Sequence, residues 1–183
     1  MADEADLNSR WKAMLFGIRR SSRYHQRRRG FFDRLDRFSN IASVVFGSTA
    51  FVGVLQGPDT KTLALWASAG LAVLGTVNLV FGSAVRARDH SDFMRRYVEL
   101  EQRMLQPASE ELLLSITADR LGIEANEVPV LHVLNCICHN DQLRAEDGPP
   151  EEYVTIGPAQ RFFSPFFDFC EGSLKKVGDK ANP

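Results

Sequence analysis

Three cysteines in 183 residues, Cys136, Cys138 and Cys170, are too few and too irregularly spaced for a disulfide framework. Their scarcity points to a reducing, cytosolic setting for the segments that carry them. No Walker glycine loop, nucleophile elbow or zinc-hydrolase motif occurs, and the carboxylates are scattered over helix faces. The chain is therefore not expected to be an enzyme, and no cofactor is expected. A secretory signal is not expected either: the first apolar run begins only near Phe38, with no small-residue cleavage pattern after it. Targeting then falls to the hydrophobic segments themselves.

Net charge is also nearly absent, at −1, and the mean hydropathy of −0.18 suits a soluble protein. The averages conceal segregation. Residues 19–37 hold eight arginines against Asp33 and Asp36, whereas residues 105–183 hold thirteen acidic residues against six basic ones. Such asymmetry implies an arm that meets phosphate and a tail that does not.

What the chain does have is two long uncharged runs, 21 residues over 38–58 and 24 over 62–85. A bilayer core of about 30 Å needs about 20 helical residues, so both are long enough to cross. Between them Gln56, Gly57, Pro58, Asp59, Thr60 and Lys61 read as a helix stop and a tight turn. Small residues recur along each run: Ser39, Ser43 and Gly47 in the first, and Ser68, Ala72 and Gly75, with Gly82 beyond, in the second. Such stripes let membrane helices approach closely, and they are the expected helix-packing or oligomerisation positions. The competing reading is a buried hairpin in a soluble helical bundle, but neither run has a polar face and the remaining residues offer little apolar cover. Arginines precede the first run and follow the second (Arg86, Arg88, Arg95, Arg96 and Arg103), with only Lys61 in the turn, which places both ends in the cytoplasm.

Residues 7–37 are expected to form a basic amphipathic helix, with Trp11, Leu15 and Ile18 on one face and Phe32 and Leu35 continuing the apolar spacing. Its Arg19, Arg20, Arg23, Arg27, Arg28 and Arg29 are candidates for anionic lipid head groups. Tyr24, His25 and Phe31 interleave with them, which also admits a nucleic-acid reading, but a basic block beside a spanning run favours lipid. Transmembrane helix 1 is expected over 38–57. Transmembrane helix 2 is expected over 62–85, continuing to 105 as a cytoplasmic helix with His90, Phe93, Tyr97, Leu100 and Met104 on a coiled-coil-like seam. Further cytoplasmic helices are expected over 109–145, one capped by Ser109 and stopped by Gly122, the next opening at Pro129. His132, Cys136 and His139 share a face of the latter, but no second ligand pair exists and metal is not expected. The aromatic-rich tail, 146–183, carries five phenylalanines within residues 162–169, an apolar surface that needs cover.

These features sit in a recognisable order. The chain resembles the SLATT family, two-transmembrane helical proteins of bacterial conflict and nucleotide-signalling systems. The resemblance rests on Arg23-Tyr24-His25-Gln26-Arg27-Arg28 before the first run, the two-run hairpin, and Arg86-Ala87-Arg88-Asp89-His90 after it. It continues through Tyr97-Val98-Glu99-Leu100-Glu101-Gln102-Arg103, Ile123-Glu124-Ala125-Asn126-Glu127-Val128-Pro129 and Cys138-His139-Asn140. It covers about residues 10–145 and implies a single all-α domain. It also implies a homo-oligomeric effector that forms a pore or breaches the bacterial inner membrane in anti-phage defence, triggered by a partner encoded nearby. Ser43, Thr49, Thr76 and Asn78 could then line a water path, although Asn78 equally suits an interhelical hydrogen bond. The alternatives are a non-killing membrane scaffold that recruits a partner protein and, further off, a soluble helical interaction domain.

Overall fold

The computed structural model describes residues 2–56 and 60–180, and the described chain is all-α apart from one minimal ladder. The helices are α1 (Ala2–Leu55), α2 (Lys61–Phe81), α3 (Ser83–Arg103), α4 (Glu110–Glu124), α5 (His132–Ala145) and α6 (Pro158–Phe163). Strands β1 (Val154–Thr155) and β2 (Lys175–Lys176) pair antiparallel, Val154 opposite Lys176. The residues fall into two compact units. The first joins the chain up to Arg28 with the chain from His90 onward, and the second is Arg29–Asp89.

In the first unit α1, α3 and α4 share a core. Trp11 and Ile18, Tyr97, Leu100 and Met104, and Leu113, Ile116 and Ile123 are buried together. Complete burial of such a side chain is worth about 1.5–3 kcal/mol. The apolar face expected on α1 and the seam expected on α3 are therefore both real, and each is covered by the chain's own helices. A second cluster packs Tyr24 against Leu134, Ile137 and Cys138 of α5.

Several element boundaries differ from expectation. No break separates residues 37 and 38: α1 runs straight through, because no proline occurs between Ala2 and Leu55. Gly122 does not stop α4, which runs two residues further with Ile123 buried, and the Asn126 amide closes it by donating to the Gly122 carbonyl at 2.7 Å. Helix α5 opens at His132 rather than Pro129, where Asp168 reaches back from the tail to accept from the backbone N–H of His132 and Val133, both at 2.8 Å. Ser109 does cap α4, accepting from Leu112 N–H at 3.2 Å.

The tail is folded rather than trailing. Asn140 on α5 clamps Val154 from both sides, donating to its carbonyl at 2.7 Å and accepting from its N–H at 2.9 Å. Gln160 accepts from Gly157 N–H and donates to the Cys170 carbonyl. Phe163 stacks on Phe167 at 5.3 Å, while Phe162 and Phe166 remain exposed.

In the second unit α1 and α2 pack antiparallel: the Gly53 region meets Thr60 and Ala64, Gly47 meets Leu71, Phe46 meets Gly70, and the Arg86 guanidinium lies over Phe32 at 5.7 Å. The expected turn at Gly57, Pro58 and Asp59 lies outside the described residues. The continuous helix expected from 62 to 105 is interrupted at Gly82, whose φ of 54° and ψ of 44° are left-handed, a conformation glycine adopts without steric cost. The hydrogen bonds Gly82 N–H to Asn78 and Arg86 N–H to Gly82 carry the ladder to either side.

Candidate membrane hairpin and buried histidine network

Helical stretches long and apolar enough to cross a bilayer lie within Glu4–Leu55 and Lys61–Arg103, and only 11% of each apolar window is buried. A core helix of a soluble protein passes the same length test but is mostly covered. Here Ile41, Val44, Phe51 and Val54 on α1, and Leu65, Trp66, Val73 and Leu79 on α2, all face outward. The polar groups within these stretches are handled locally. Ser48, Thr49 and Thr76 donate their hydroxyl hydrogens to the carbonyls of Val44, Val45 and Ala72, each four residues earlier on the same helix.

The small-residue positions divide into two sets. Ser39 is buried and Ser43 and Gly47 half-buried, and Gly47 meets Leu71 of α2. Ser68, Ala72 and Gly75 are exposed, whereas Ala64 and Ala67 are the buried residues of α2. The tightest approach is at Gly53, which the small-residue reading missed. A Cβ there would lie 2.9 Å from the Ala64 Cβ and 3.2 Å from the Thr60 carbonyl oxygen. Its signal in the sequence was the spacing from Ser39, Ala42 and Phe46 to Ala50 and Gly53, a 3- and 4-residue seam hidden by the equally small residues around it. Of the proposed pore-lining set, Thr49 and Asn78 are half-buried and Thr76 is exposed.

The first unit holds a polar network inside its core. His25 and His90 are both buried, and their Nδ1 atoms stand 2.9 Å apart. His25 Nε2 lies 3.1 Å from Glu127 Oε1, and the Tyr97 hydroxyl donates to the same oxygen at 2.6 Å. Tyr97 also stacks on His25 at 5.6 Å. Burial pushes Glu127 up, but the hydrogen bonds from His25 and Tyr97 outweigh it and hold the carboxyl below its ordinary value. Burial, then the carboxylate, raise the Tyr97 phenol above its usual range, so it stays a donor.

Proton positions follow from that. Glu127 is ionised, so His25 Nε2 donates to it. Between the two Nδ1 atoms one must carry hydrogen and the other must not. A neutral His25 accepts from His90, or a cationic His25 donates to it. Either way the contact holds a single proton, and a proton on both nitrogens sets two N–H groups head-on. A cavity of about 270 Å³ bordered by Ser21, His25, Tyr97 and Glu127 adjoins the network. The sequence places His90 on the expected α3 seam and His25 among basic residues. The available signal was that His25, His90, Tyr97 and Glu127 all fall in the short motifs that carried the family resemblance.

The arginines expected at lipid head groups largely have partners within the first unit. Arg19 pairs with Glu101 at 2.7 Å and Glu146 at 3.3 Å, Arg23 donates to Gln142 at 2.7 Å, Arg27 pairs with Asp141, and Arg28 donates to the Pro165 carbonyl at 2.7 Å. Arg29, in the second unit, is exposed beside Asp33. Two of the three rings offered for nucleic-acid stacking, Tyr24 and His25, are buried. His132 Nε2 lies 3.9 Å from Cys136 Sγ, and among the described residues no group of three or more metal-ligating side chains forms. Comparison with family models, with curated proteins and with solved structures gives no match to this chain.

Proposed function

We propose that this chain is a membrane effector of the bacterial inner membrane that oligomerises and forms a pore, or otherwise disrupts the membrane, in an anti-phage or conflict system. Residues 38–57 and 62–85 span, and both ends lie in the cytoplasm. The observation that carries the membrane part is the outward apolar surface of α1 beyond Phe38 and of α2, which no other part of the described chain covers. In water such a surface invites aggregation; in hydrocarbon it is the required exterior, provided that backbone and hydroxyl groups are satisfied within each helix. The exposed Arg29, Arg34, Arg37, Arg86 and Arg88 border the apolar stretches and are suited to anionic head groups. The killing role rests on the SLATT resemblance. Assembly is supported by the outward stripe of Ser68, Ala72 and Gly75, where another copy can approach α2 closely, since two helices cannot enclose a channel.

The test is inner-membrane potential, followed with a voltage-sensitive dye in cells expressing the chain from a titratable promoter, alone and with its genomic neighbours. Depolarisation before loss of viability is expected. Gly75→Leu should suppress it while leaving membrane insertion intact, because nothing lies within 4 Å of the Cβ it would add in the single chain. A steady potential with the protein confirmed in the membrane would favour the second reading, a non-killing scaffold that recruits a partner protein. The feature suited to that reading is the exposed pair Phe162 and Phe166; the α3 seam is not, being buried against α1 and α4.

A further inference from the structure

Within the first unit α1, α5 and the β ladder border an open cavity of about 330 Å³ lined by Arg20, His132, His139, Lys175, Lys176 and Asp179, among others. The fold assembles it from three distant parts of the chain. Asn140 fixes β1 to α5, and the register of the ladder then sets Lys175 and Lys176 beside the α5 face that carries His132 and His139. Arg20 comes from α1.

Two polar atoms of this lining are buried without a hydrogen-bond partner, Arg20 Nε and His139 Nε2. Buried polar atoms are normally satisfied, and an orphan in a native site commonly marks a water or an ion. Unlike its neighbours Arg19 and Arg27, Arg20 forms no ion pair among the described residues. His139 makes edge-on contact with Phe16 at 5.3 Å, and its Nε2 has no hydrogen-bond partner. Burial, then Arg20 and Lys176, push the His139 imidazole below its ordinary value. Three cationic side chains and one carboxylate, Asp179, line the cavity, an excess of positive charge suited to an anion. A guanidinium fork and ammonium groups together are the usual means of holding phosphate oxygens.

We propose that this cavity binds a phosphate group, carried by a soluble phosphate ester or by a lipid head group, with Arg20, Lys175 and Lys176 supplying charge. The site belongs to the first unit alone and stands whatever the hairpin does.

The experiment titrates inorganic phosphate into the purified full chain in non-ionic detergent, read by calorimetry and by the ¹⁵N resonances of the histidines. Saturable binding that shifts the His139 Nε2 resonance is expected. The double substitution Lys175→Gln/Lys176→Gln should raise Kd at least tenfold, and Arg20→Gln should do the same. Both lysines are exposed, so their replacement leaves the core packing untouched, and near-UV circular dichroism checks that. Absence of saturable binding, or an unchanged Kd in a folded double-lysine variant, overturns the proposal. Repeating the titration in nanodiscs separates the sources. Loss of phosphate binding in phospholipid discs relative to detergent identifies a lipid head group as the occupant, whereas undiminished binding in the discs identifies a soluble ester.

Discussion

Ile18 and Ile41 lie on the same helix, yet the first is wholly buried and the second is 65% exposed. Around Ile18 the helix is ordinary amphipathic structure: one apolar face against α3 and α4, and arginines on the other faces paired with acidic side chains of the same unit. Around Ile41 the outward positions are apolar too, and the partner face uses serine, alanine and glycine. One helix therefore follows two rules of burial. In the first stretch apolar groups turn inward because water excludes them; in the second, on the proposed membrane reading, small groups turn inward because close backbone approach is what holds helices together in lipid.

The sharpest way to break that comparison is to place charge on the outward surface of the second unit. Val45→Arg with Val73→Arg replaces two exposed side chains near the centres of the apolar stretches. Each arginine at such a position costs about 2.5–3.5 kcal/mol of insertion free energy. The double variant should fail to float with membranes in a density gradient. If it floats like the unmodified protein, these stretches do not span.

The converse test removes charge from the interior of the first unit. Glu127→Gln replaces an ionised acceptor shared by His25 and Tyr97 with a neutral amide, and should lower stability by about 2–3 kcal/mol, read as a drop in Tm by near-UV circular dichroism. The pH dependence has a definite sign. The Glu127 carboxyl titrates lower in the folded state than its ordinary value of 4.5, so its contribution is complete above pH 4.5 and disappears as pH falls through the folded value. The unmodified protein should therefore lose Tm more steeply than Glu127→Gln below pH 4.5; parallel slopes would mean that the carboxylate is not what the network holds.

How far the two units were legible follows from the kind of signal each uses. Trp11, Ile18, Tyr97, Leu100 and Met104 could be read from helical spacing, because an apolar residue on a charged helix stands out. In the apolar runs spacing carries little contrast. Gly47 meets α2 and Ser39 is buried, but Ser68, Ala72 and Gly75 are exposed, and Gly53 carries no contrast with its small neighbours. The histidine network and the tail contacts were illegible for another reason: His25 meets His90 across 65 positions, and Asp168 caps a helix 35 and 36 positions earlier. Nothing local announces a partner at such separations.

Gly53 sharpens the comparison at intermediate size. Gly53→Leu forces a side chain against Ala64 and the Thr60 carbonyl, overpacking worth about 1–3 kcal/mol. It should destabilise the hairpin in detergent, seen as faster proteolysis between α1 and α2, whereas Gly75→Leu should leave proteolysis unchanged and act only on assembly. Equal sensitivity of the two variants would erase the distinction between the inward and outward faces of the hairpin.

The smallest expected effects concern hydroxyl groups, and they differ in kind between the units. In the first unit the Ser109 hydroxyl satisfies an N–H at the start of α4, which would otherwise lack an intrahelical partner, so Ser109→Ala should cost about 1 kcal/mol. In the second, Thr76 donates to the Ala72 carbonyl, which as an interior helical carbonyl already receives a backbone N–H, so removing the hydroxyl leaves no group unsatisfied. Thr76→Val should then change Tm by no more than about 0.5 kcal/mol equivalent, within the range for substitutions away from core and caps. If the same variant alters single-channel conductance in planar bilayers while its Tm stays put, Thr76 faces water in the assembly. An unchanged conductance assigns the hydroxyl to its own helix alone.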